Sequence, residues 1–90
     1  MSSKKNFQIE FRPGARRQFE KLPKDVKKRI GESIETLAVN PRPRQAIKMD
    51  GVEDDTYRIR VGDYRVIYSV FEDMLLILIV KVGHRKEVYR

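Results

Sequence analysis

Apolar and polar residues alternate at the start of the chain. In "FQIEF", Phe7, Ile9 and Phe11 are separated by Gln8 and Glu10. A period of two is typical of a β-strand that buries one face and exposes the other. The same alternation returns in "TYRIRV", residues 56–61, whereas much of the chain between these segments has a longer period. The sequence therefore predicts an opening strand that is followed by helices before further strands.

Helical spacing begins directly after the first strand. Ala15, Phe19 and Leu22 lie four and three residues apart, which places them on one face of a helix. Pro23 ends this helix and can begin the next, and the Asn-Pro pair at residues 40–41 ends the second helix. The apolar stripe of the second helix consists of Val26, Ile30, Ile34, Leu37 and Ala38. We expect an antiparallel helix hairpin with one shared apolar face.

Three strands are predicted in the last part of the chain. They are "TYRIRV", "YRVIYSVF" and "MLLILIVKV", at residues 56–61, 64–71 and 74–82. The third is apolar without alternation, as expected of a central strand covered on both faces, while residues 42–55 form a connection or a weak extra strand. The order β-α-α-β-β-β predicts an α+β domain. We expect the helix hairpin to pack on one face of a mainly antiparallel sheet, and residues 1–90 to form a single domain.

Composition restricts the class of protein and its location. The chain has 90 residues, of which 40% are apolar and 37% charged, so it suits one small domain with a highly charged surface. Because it lacks cysteine, disulfides and thiolate metal sites are excluded, and we expect a cytoplasmic location. No apolar segment of the signal-peptide type follows the first residues, and the longest apolar run, 74–80, is too short to span a bilayer. We therefore expect no membrane partner.

Three arginines are predicted to share one face of the sheet. If Gly62-Asp63 forms a two-residue type II′ turn, Arg60 lies opposite Arg65, and Arg58 projects to the same side. Opposed arginines repel unless an anion lies between them, and guanidinium groups bind phosphate through paired hydrogen bonds. A formal net charge of +7 also favours an anionic partner. The cluster predicts an anion site; the alternative is a solvated sheet face that carries long basic side chains.

The single histidine of the chain, His84, lies near the end of the last strand. A tight turn at Glu72-Asp73 would place it on the face of Arg65 and place Arg85 on the opposite face. A one-residue change in that loop would reverse the assignment, and Gly83 can also break the alternation. Both arrangements stay open. One histidine without cysteine gives no metal cluster of the usual histidine type, so we expect no metal and no cofactor.

Three segments carry a resemblance to a known family. They are "KMDG" (48–51), "YRIRVGDYRVIY" (57–68) and "VGHRKEVY" (82–89). In these segments and in the order of its elements, the chain resembles the RelE/ParE superfamily of toxins, and the RelE branch in particular. The resemblance implies a RelE-like fold and the role of toxin in a type II toxin–antitoxin system. It also implies a ribosome-dependent endoribonuclease that cleaves mRNA in the A site without a metal, by attack of the ribose 2′-hydroxyl on the adjacent phosphate.

The resemblance implies roles for individual residues in catalysis. Arg65 matches the arginine that stabilises the transition state. Arg85 matches an arginine assigned to phosphate stabilisation or to protonation of the leaving group. Tyr89 matches a late tyrosine that stacks on or orients the RNA. The other basic residues that could contact RNA phosphates, or could only keep the chain soluble, are Lys27, Lys28, Arg42, Arg44 and Lys48.

The chain departs from the family pattern at two positions. Arg58 and Arg60 stand where the best-known branch carries two lysines. Arginine does not lose its proton in proteins, so Arg58 and Arg60 are poor general bases. Both can still bind substrate phosphate, and we expect the same of Lys48. We expect His84, which has an unperturbed pKa near neutrality, to be the base. The alternative is that the base role is weak and that catalysis depends on electrostatics and on positioning by the ribosome.

The resemblance also implies partners. A cognate antitoxin is the expected protein partner, the ribosome and mRNA are the expected targets, and DNA would be contacted only indirectly through the antitoxin. The basic surface suits an acidic antitoxin segment, and the helix hairpin and the edge strand are the expected docking surfaces. Two other functions stay open. ParE-type relatives share the fold but poison DNA gyrase, and a non-catalytic domain would only bind an antitoxin or nucleic acid.

Overall fold

The computed structural model describes residues 6–51 and 54–84, which form two helices and a five-stranded sheet. The elements are β1 (Gln8–Phe11), α1 (Pro13–Glu20), α2 (Lys24–Val39), β2 (Ile47–Lys48), β3 (Thr56–Val61), β4 (Tyr64–Phe71) and β5 (Leu76–His84), with a 3₁₀ turn at Glu72–Met74. The strand order is β1-β5-β4-β3-β2. β1 is parallel to β5, and the other neighbours are antiparallel. The α+β class and the element order are confirmed, and the weak extra strand is β2.

Prolines delimit the helix hairpin. Pro13 lies in the first turn of α1, where its fixed φ suits the helix and its missing N–H costs no hydrogen bond. Pro23 directly precedes α2, which ends where Asn40 adopts an extended conformation. The buried helix residues are Ala15, Ile30, Ile34 and Leu37. The hairpin thus presents the shared apolar face that the spacing predicts. In the part of the chain that the structure describes, neither helix has the length and apolar character needed to cross a membrane.

The core lies between the helix hairpin and one side of the sheet, which we call the helix face. Residues of the sheet in this core are Tyr57, Ile59, Val66, Tyr68, Val70, Ile77, Ile79 and Val82. Tyr68 is fully buried, and its hydroxyl donates to the carbonyl of Pro41 at 2.7 Å. Burial raises the pKa of this hydroxyl above its ordinary value. Tyr68 therefore ties the segment after α2 to the centre of the sheet, and its one polar atom is satisfied.

The opposite side of the sheet, which we call the open face, is not covered by either helix. In β5, Ile77 and Ile79 are fully buried on the helix face, whereas Leu76 and Leu78 are only half-buried. Both helices pack on the same face, so within residues 6–51 and 54–84 the expectation that β5 is covered on both faces is not met. The apolar run of β5 therefore leaves part of its surface on the open face.

The hairpin between β3 and β4 has the predicted register. Gly62 has a φ of +60°, the left-handed value that a type II′ turn requires at its first central position. Arg60 is paired with Arg65, and Arg58 is paired with Ile67. Directly opposed residues project to the same side. The three arginines therefore share the open face, as the turn predicts.

A β-bulge decides which residues at the end of β5 face the helices. Between Ile67 and Tyr68 of β4 the register of β5 shifts by one residue, so Val80 has no paired residue in β4. Odd-numbered residues of β5 face the helices before the bulge, and even-numbered residues face them after it. His84 is opposite Tyr64 and therefore lies on the helix face. Of the two arrangements that the sequence leaves open, the structure has the one in which His84 and the arginines are on opposite faces.

Candidate anion-binding site

The three arginines surround a small hollow on the open face. The hollow has a volume of about 120 Å³ and is lined by Gln45, Ile47, Arg58, Arg60 and Arg65. β3 supplies Arg58 and Arg60, β4 supplies Arg65, and β2 supplies Ile47, which is paired with Arg58. Regular strand pairing, rather than loop conformation, therefore positions the charged groups. A site built on paired strands is held more rigidly than one built on loops.

Arg65 is the most enclosed of the three arginines, with 8% of its surface exposed. One guanidinium nitrogen donates to the carbonyl of Tyr64 at 3.2 Å. Gly83 of β5 lies directly opposite Arg65 and contributes no side chain there. Because Arg65 is poorly exposed, solvent screens its charge less than it screens the charge of a surface arginine. An anion that enters the hollow is therefore attracted most strongly by Arg65.

Arg60 lies opposite Arg65 at the exposed rim of the hollow. Its Nε donates a long hydrogen bond of 3.4 Å to the carbonyl of Gly62. Like charges on directly opposed strand positions destabilise a sheet. Among the described residues, those that line the hollow include no carboxylate. Guanidinium groups form short, charge-assisted pairs of hydrogen bonds with phosphate, so this arrangement is suited to bind a phosphate group between strands.

Lys48, which we expected to bind substrate together with Arg58 and Arg60, does not belong to this hollow. It is paired with Tyr57, whereas its neighbour Ile47 is paired with Arg58. Successive strand residues project to opposite faces, so the structure separates Lys48 from the arginines. Its Nζ lies instead 3.6 Å from a carboxylate oxygen of Asp55. A contact of Lys48 with substrate stays a prediction, at a different surface.

Sequence reasoning missed Gln45 and Ile47. Ile47 is 53% exposed, which is unusual for a large apolar side chain. Its pairing with Arg58 depends on the register of a two-residue strand, and alternation over two residues is too short to predict a face. The one available signal was the suggestion of a weak extra strand in residues 42–55. Both residues are therefore new members of the candidate site.

A polar cluster around Arg42 stabilises the edge of the fold rather than the hollow. The Arg42 cluster consists of Arg42, Asp55, Tyr57 and Glu72. Arg42 donates to the Tyr57 hydroxyl at 2.9 Å, to the Asp55 carboxylate, and to Glu72 at 3.0 Å. The bond to Asp55 is the main reason that the pKa of Arg42 lies above its ordinary value. Burial acts to raise the pKa of Asp55, but the hydrogen bonds from Arg42 and Tyr57 outweigh it and lower this pKa. The cluster links the segment after α2 to β3 and to the 3₁₀ turn.

His84 lies apart from the hollow. Its ring meets the ring of Tyr64 edge-on, with 5.6 Å between the ring centres. Arg65 projects to the open face and His84 to the helix face, so the sheet separates the two side chains. The structure therefore does not bring the expected base to the arginines, and the catalytic role of His84 stays a prediction. The two remaining expected catalytic residues, Arg85 and Tyr89, lie outside the described residues.

Comparisons with known proteins agree with this fold. The model of one family, described as the ParE toxin of type II toxin–antitoxin system, parDE, matches residues 9–89. A protein of Methanocaldococcus jannaschii, named as a RelE1 toxin, is 33% identical over 86 residues, which cover 93% of this chain and 96% of the relative. The mRNA interferase toxin RelE of Escherichia coli K12 is 27% identical over 85 residues, or 90% of this chain and 87% of the relative.

A solved structure is similar over almost the whole fold. In the archaeal RelE–RelB complex of Pyrococcus horikoshii OT3, the matching chain is 36% identical and superposes with a TM-score of 0.78, covering 89% of this chain and 96% of that one. The family match spans residues 9–89, which include all of β3 and β4, and the superposition covers 89% of the chain. This chain therefore belongs to the RelE/ParE superfamily of type II toxin–antitoxin toxins.

Proposed function

We propose that this chain is a ribosome-dependent mRNA interferase, an endoribonuclease that cleaves mRNA in the ribosomal A site. The observation that carries the proposal is the hollow on the open face, where Arg60 opposes Arg65 beside Arg58. Such a cluster lowers the stability of a sheet and becomes useful when a phosphate occupies it. The E. coli relative named as an mRNA interferase supports this branch of the superfamily.

In the proposed reaction the ribose 2′-oxygen attacks the adjacent phosphorus, and the bond from phosphorus to the 5′-oxygen breaks. The products are a cyclic phosphate and a 5′-hydroxyl, so the proton of the 2′-hydroxyl must leave and the 5′-oxygen must gain one. Negative charge grows on the phosphate oxygens in the transition state. Arg65, enclosed and poorly exposed, would stabilise this charge, and Arg58 and Arg60 would hold the phosphate. Arg85 and Tyr89 enter the proposal from the sequence alone.

The described residues that line the hollow include no side chain suited to be the general base. Arg58 and Arg60 keep their protons at all ordinary pH values, and His84 lies on the opposite face of the sheet from Arg65. We therefore favour the alternative in which no protein side chain is a strong base. Electrostatic stabilisation by the arginines and positioning by the ribosome would then supply most of the rate enhancement. His84 as base is kept as the competing hypothesis, and its test is given below.

A cognate antitoxin is the proposed protein partner. Related RelE chains of P. horikoshii and Methanococcus jannaschii were solved as complexes with RelB. The formal net charge of +7 suits an acidic antitoxin segment. We propose that the pair acts in the cytoplasm, where the ribosome is, and that DNA is contacted only through the antitoxin.

Inhibition of DNA gyrase is the second candidate function. It is favoured by the family description, which names ParE rather than RelE. A gyrase inhibitor would not need the arginine hollow for chemistry. In a supercoiling assay it would therefore keep its effect when Arg65 is replaced.

The deciding experiment is primer extension on an mRNA in a purified translation system. Wild type is compared with Arg65→Ala, Arg65→Lys and Arg85→Ala, and the exposed Arg16→Ala serves as a control that also removes one positive charge. We expect A-site cuts with wild type and the control, and a loss of roughly 100-fold or more in cleavage rate for Arg65→Ala, the size typical of removing one transition-state contact. An uncut message with folded wild-type protein would refute the interferase and direct attention to gyrase.

A further inference from the structure

A second cleft, which we call the edge cleft, shares no residue with the arginine hollow. Its volume is about 550 Å³, more than four times that of the hollow. The side chains that matter for its chemistry are Gln18, Lys21 and Leu22 from the helix side, and Tyr64 and His84 from the helix face of the sheet. Lys81 is paired with Ile67 on the open face, and it lines the cleft from the edge of β5 that β1 does not cover. Volumes of about 300 to 1,000 Å³ are typical of sites for small organic ligands. The edge cleft is thus large enough for a molecule larger than a simple ion.

The cleft exists because β1 covers only the first half of β5. The pairing of β1 with β5 ends at Phe11 and Ile79. Beyond this point the end of α1 takes the place of a strand, and the side-chain oxygen of Gln18 accepts a hydrogen bond of 3.0 Å from the backbone N–H of Val82. The edge of β5 is therefore satisfied at Val82 by a side chain. A helix end covers a strand edge less completely than a strand does, and space is left beside it.

The chemistry of the edge cleft combines cations with an aromatic ring. Lys21, Lys81 and His84 can all donate hydrogen bonds to an anion, and the described residues that line the cleft include no carboxylate. Tyr64 is half-buried, with its ring against His84 at 5.6 Å and its other contacts to the core. A simple anion would use only the hydrogen-bond donors of the cleft and not the Tyr64 ring. A ligand that uses both the donors and the ring carries a phosphate and a flat base, as a nucleotide does.

We propose that the edge cleft binds one nucleotide of an RNA strand, with its phosphate on Lys21 and Lys81 and its base against Tyr64 and His84. This site would be a second contact for RNA and not a site of cleavage. The proposal rests on the RNA-binding part of the proposed function, and not on cleavage. Tyr64 and Arg65 are consecutive and project to opposite faces, so one RNA strand that passes the β3–β4 turn can contact both sites.

The first test is an NMR titration of ¹⁵N-labelled wild-type protein with AMP, and separately with inorganic phosphate and with adenosine. We expect AMP to shift the amide signals of Lys21, Tyr64, Gly83 and His84 and to bind at least fivefold more tightly than phosphate. Equal affinity for AMP and phosphate would overturn the proposal, because the ring would then contribute nothing. Displacement of AMP from these signals by a polyglutamate peptide at equal charge concentration would also overturn it, since an acidic protein would then be the better match.

The second test separates the edge cleft from general surface charge. The double variant Lys21→Gln/Lys81→Gln is compared with Arg12→Gln/Arg16→Gln, which removes the same charge at exposed residues that do not line the cleft. We expect AMP binding to weaken at least fivefold in the first and less than twofold in the second. Equal weakening in both would overturn the proposal. Dispersed spectra of both variants establish that they fold.

The two proposals can fail separately. The primer-extension assay reports on cleavage, which the titration does not measure. Cleavage without AMP binding at the edge cleft would refute the cleft alone. AMP binding at the cleft by a protein that cuts no message would leave the cleft supported and refute the interferase. Titration of the Arg65→Ala variant, which we expect to keep the shifts at Gly83 and His84, checks that the signals come from the cleft.

Discussion

Replacement of Arg60 by glutamine is expected to stabilise the fold while it weakens the anion site. Arg60 faces Arg65 across the β3–β4 ladder. If the two charges are about 6 Å apart, their repulsion is about 0.7 kcal/mol in water and about 3 kcal/mol at an effective dielectric constant of 20. Arg60 is exposed, so solvent screening favours the low end. We expect a gain of about 0.5 to 1 kcal/mol in the free energy of unfolding, in the range known for opposed strand pairs.

The assay is thermal unfolding followed by circular dichroism, with Arg44→Gln as a control that removes one charge away from the pair. For a domain of this size the expected gain corresponds to a rise in Tm of about 3 to 6 °C at low salt. At a salt concentration of about 1 M the screening length falls to about 3 Å, so the gain should disappear. The same variant should cleave mRNA more slowly than wild type.

Two results would refute this reasoning. If Arg60→Gln were no more stable than Arg44→Gln at low salt, the opposed arginines would carry no repulsion that an anion could relieve. If the gain persisted in concentrated salt, its origin would not be electrostatic. In a further comparison, added inorganic phosphate should raise the Tm of wild type more than that of Arg60→Gln, because ligand binding to the native state stabilises it.

Three further predictions concern the core, the Arg42 cluster and the base. Tyr68→Phe, which leaves the Pro41 carbonyl without its donor, should lower the free energy of unfolding by about 1 to 3 kcal/mol in urea titrations; an unchanged value would contradict the buried hydrogen bond. The pKa of Asp55 is lowered on folding, so its contribution is present above the ordinary value of 3.8 and is lost as pH falls through the lower folded value. Acid should therefore lower the free energy of unfolding more steeply in wild type than in Asp55→Asn. Parallel profiles of this free energy against pH would contradict the hydrogen bond from Arg42 to Asp55. His84→Ala should keep the single-turnover cleavage rate within about threefold on the electrostatic mechanism, whereas a loss of roughly 100-fold would establish His84 as the base.

The arginine hollow could be predicted because its determinants are local. A strand period of two and a two-residue turn at Gly62 define the register of β3 and β4 without reference to the rest of the fold. Once that register is known, Arg58, Arg60 and Arg65 must share a face. The helix hairpin was predictable for the same reason, since the apolar spacing of each helix and the position of Pro23 are local signals.

The position of His84 could not be predicted because it depends on distant parts of the chain. The bulge at Val80 falls where β1 ends and where Gln18 of α1 bonds to β5. No residue at the bulge has a conformational preference that would reveal it, and Gly83, the expected point of irregularity, lies within regular pairing. The face of Lys48 could not be predicted for a related reason, since a strand of two residues gives too little alternation to define a face.

The bulge at Val80 has a consequence for how this chain can diverge. Deletion of that one residue would remove the bulge and leave every later residue of β5 on its present face, because the pairing of Lys81 with Ile67 would then directly follow that of Ile79 with Tyr68. Loss of the bulge without a deletion would instead place Val82 opposite Arg65 and turn His84 toward the arginines. A shift of register at this one position could thus move His84 between two surfaces without any change in side-chain chemistry. When relatives are aligned, a one-residue gap at Val80 is therefore compatible with an unchanged site composition.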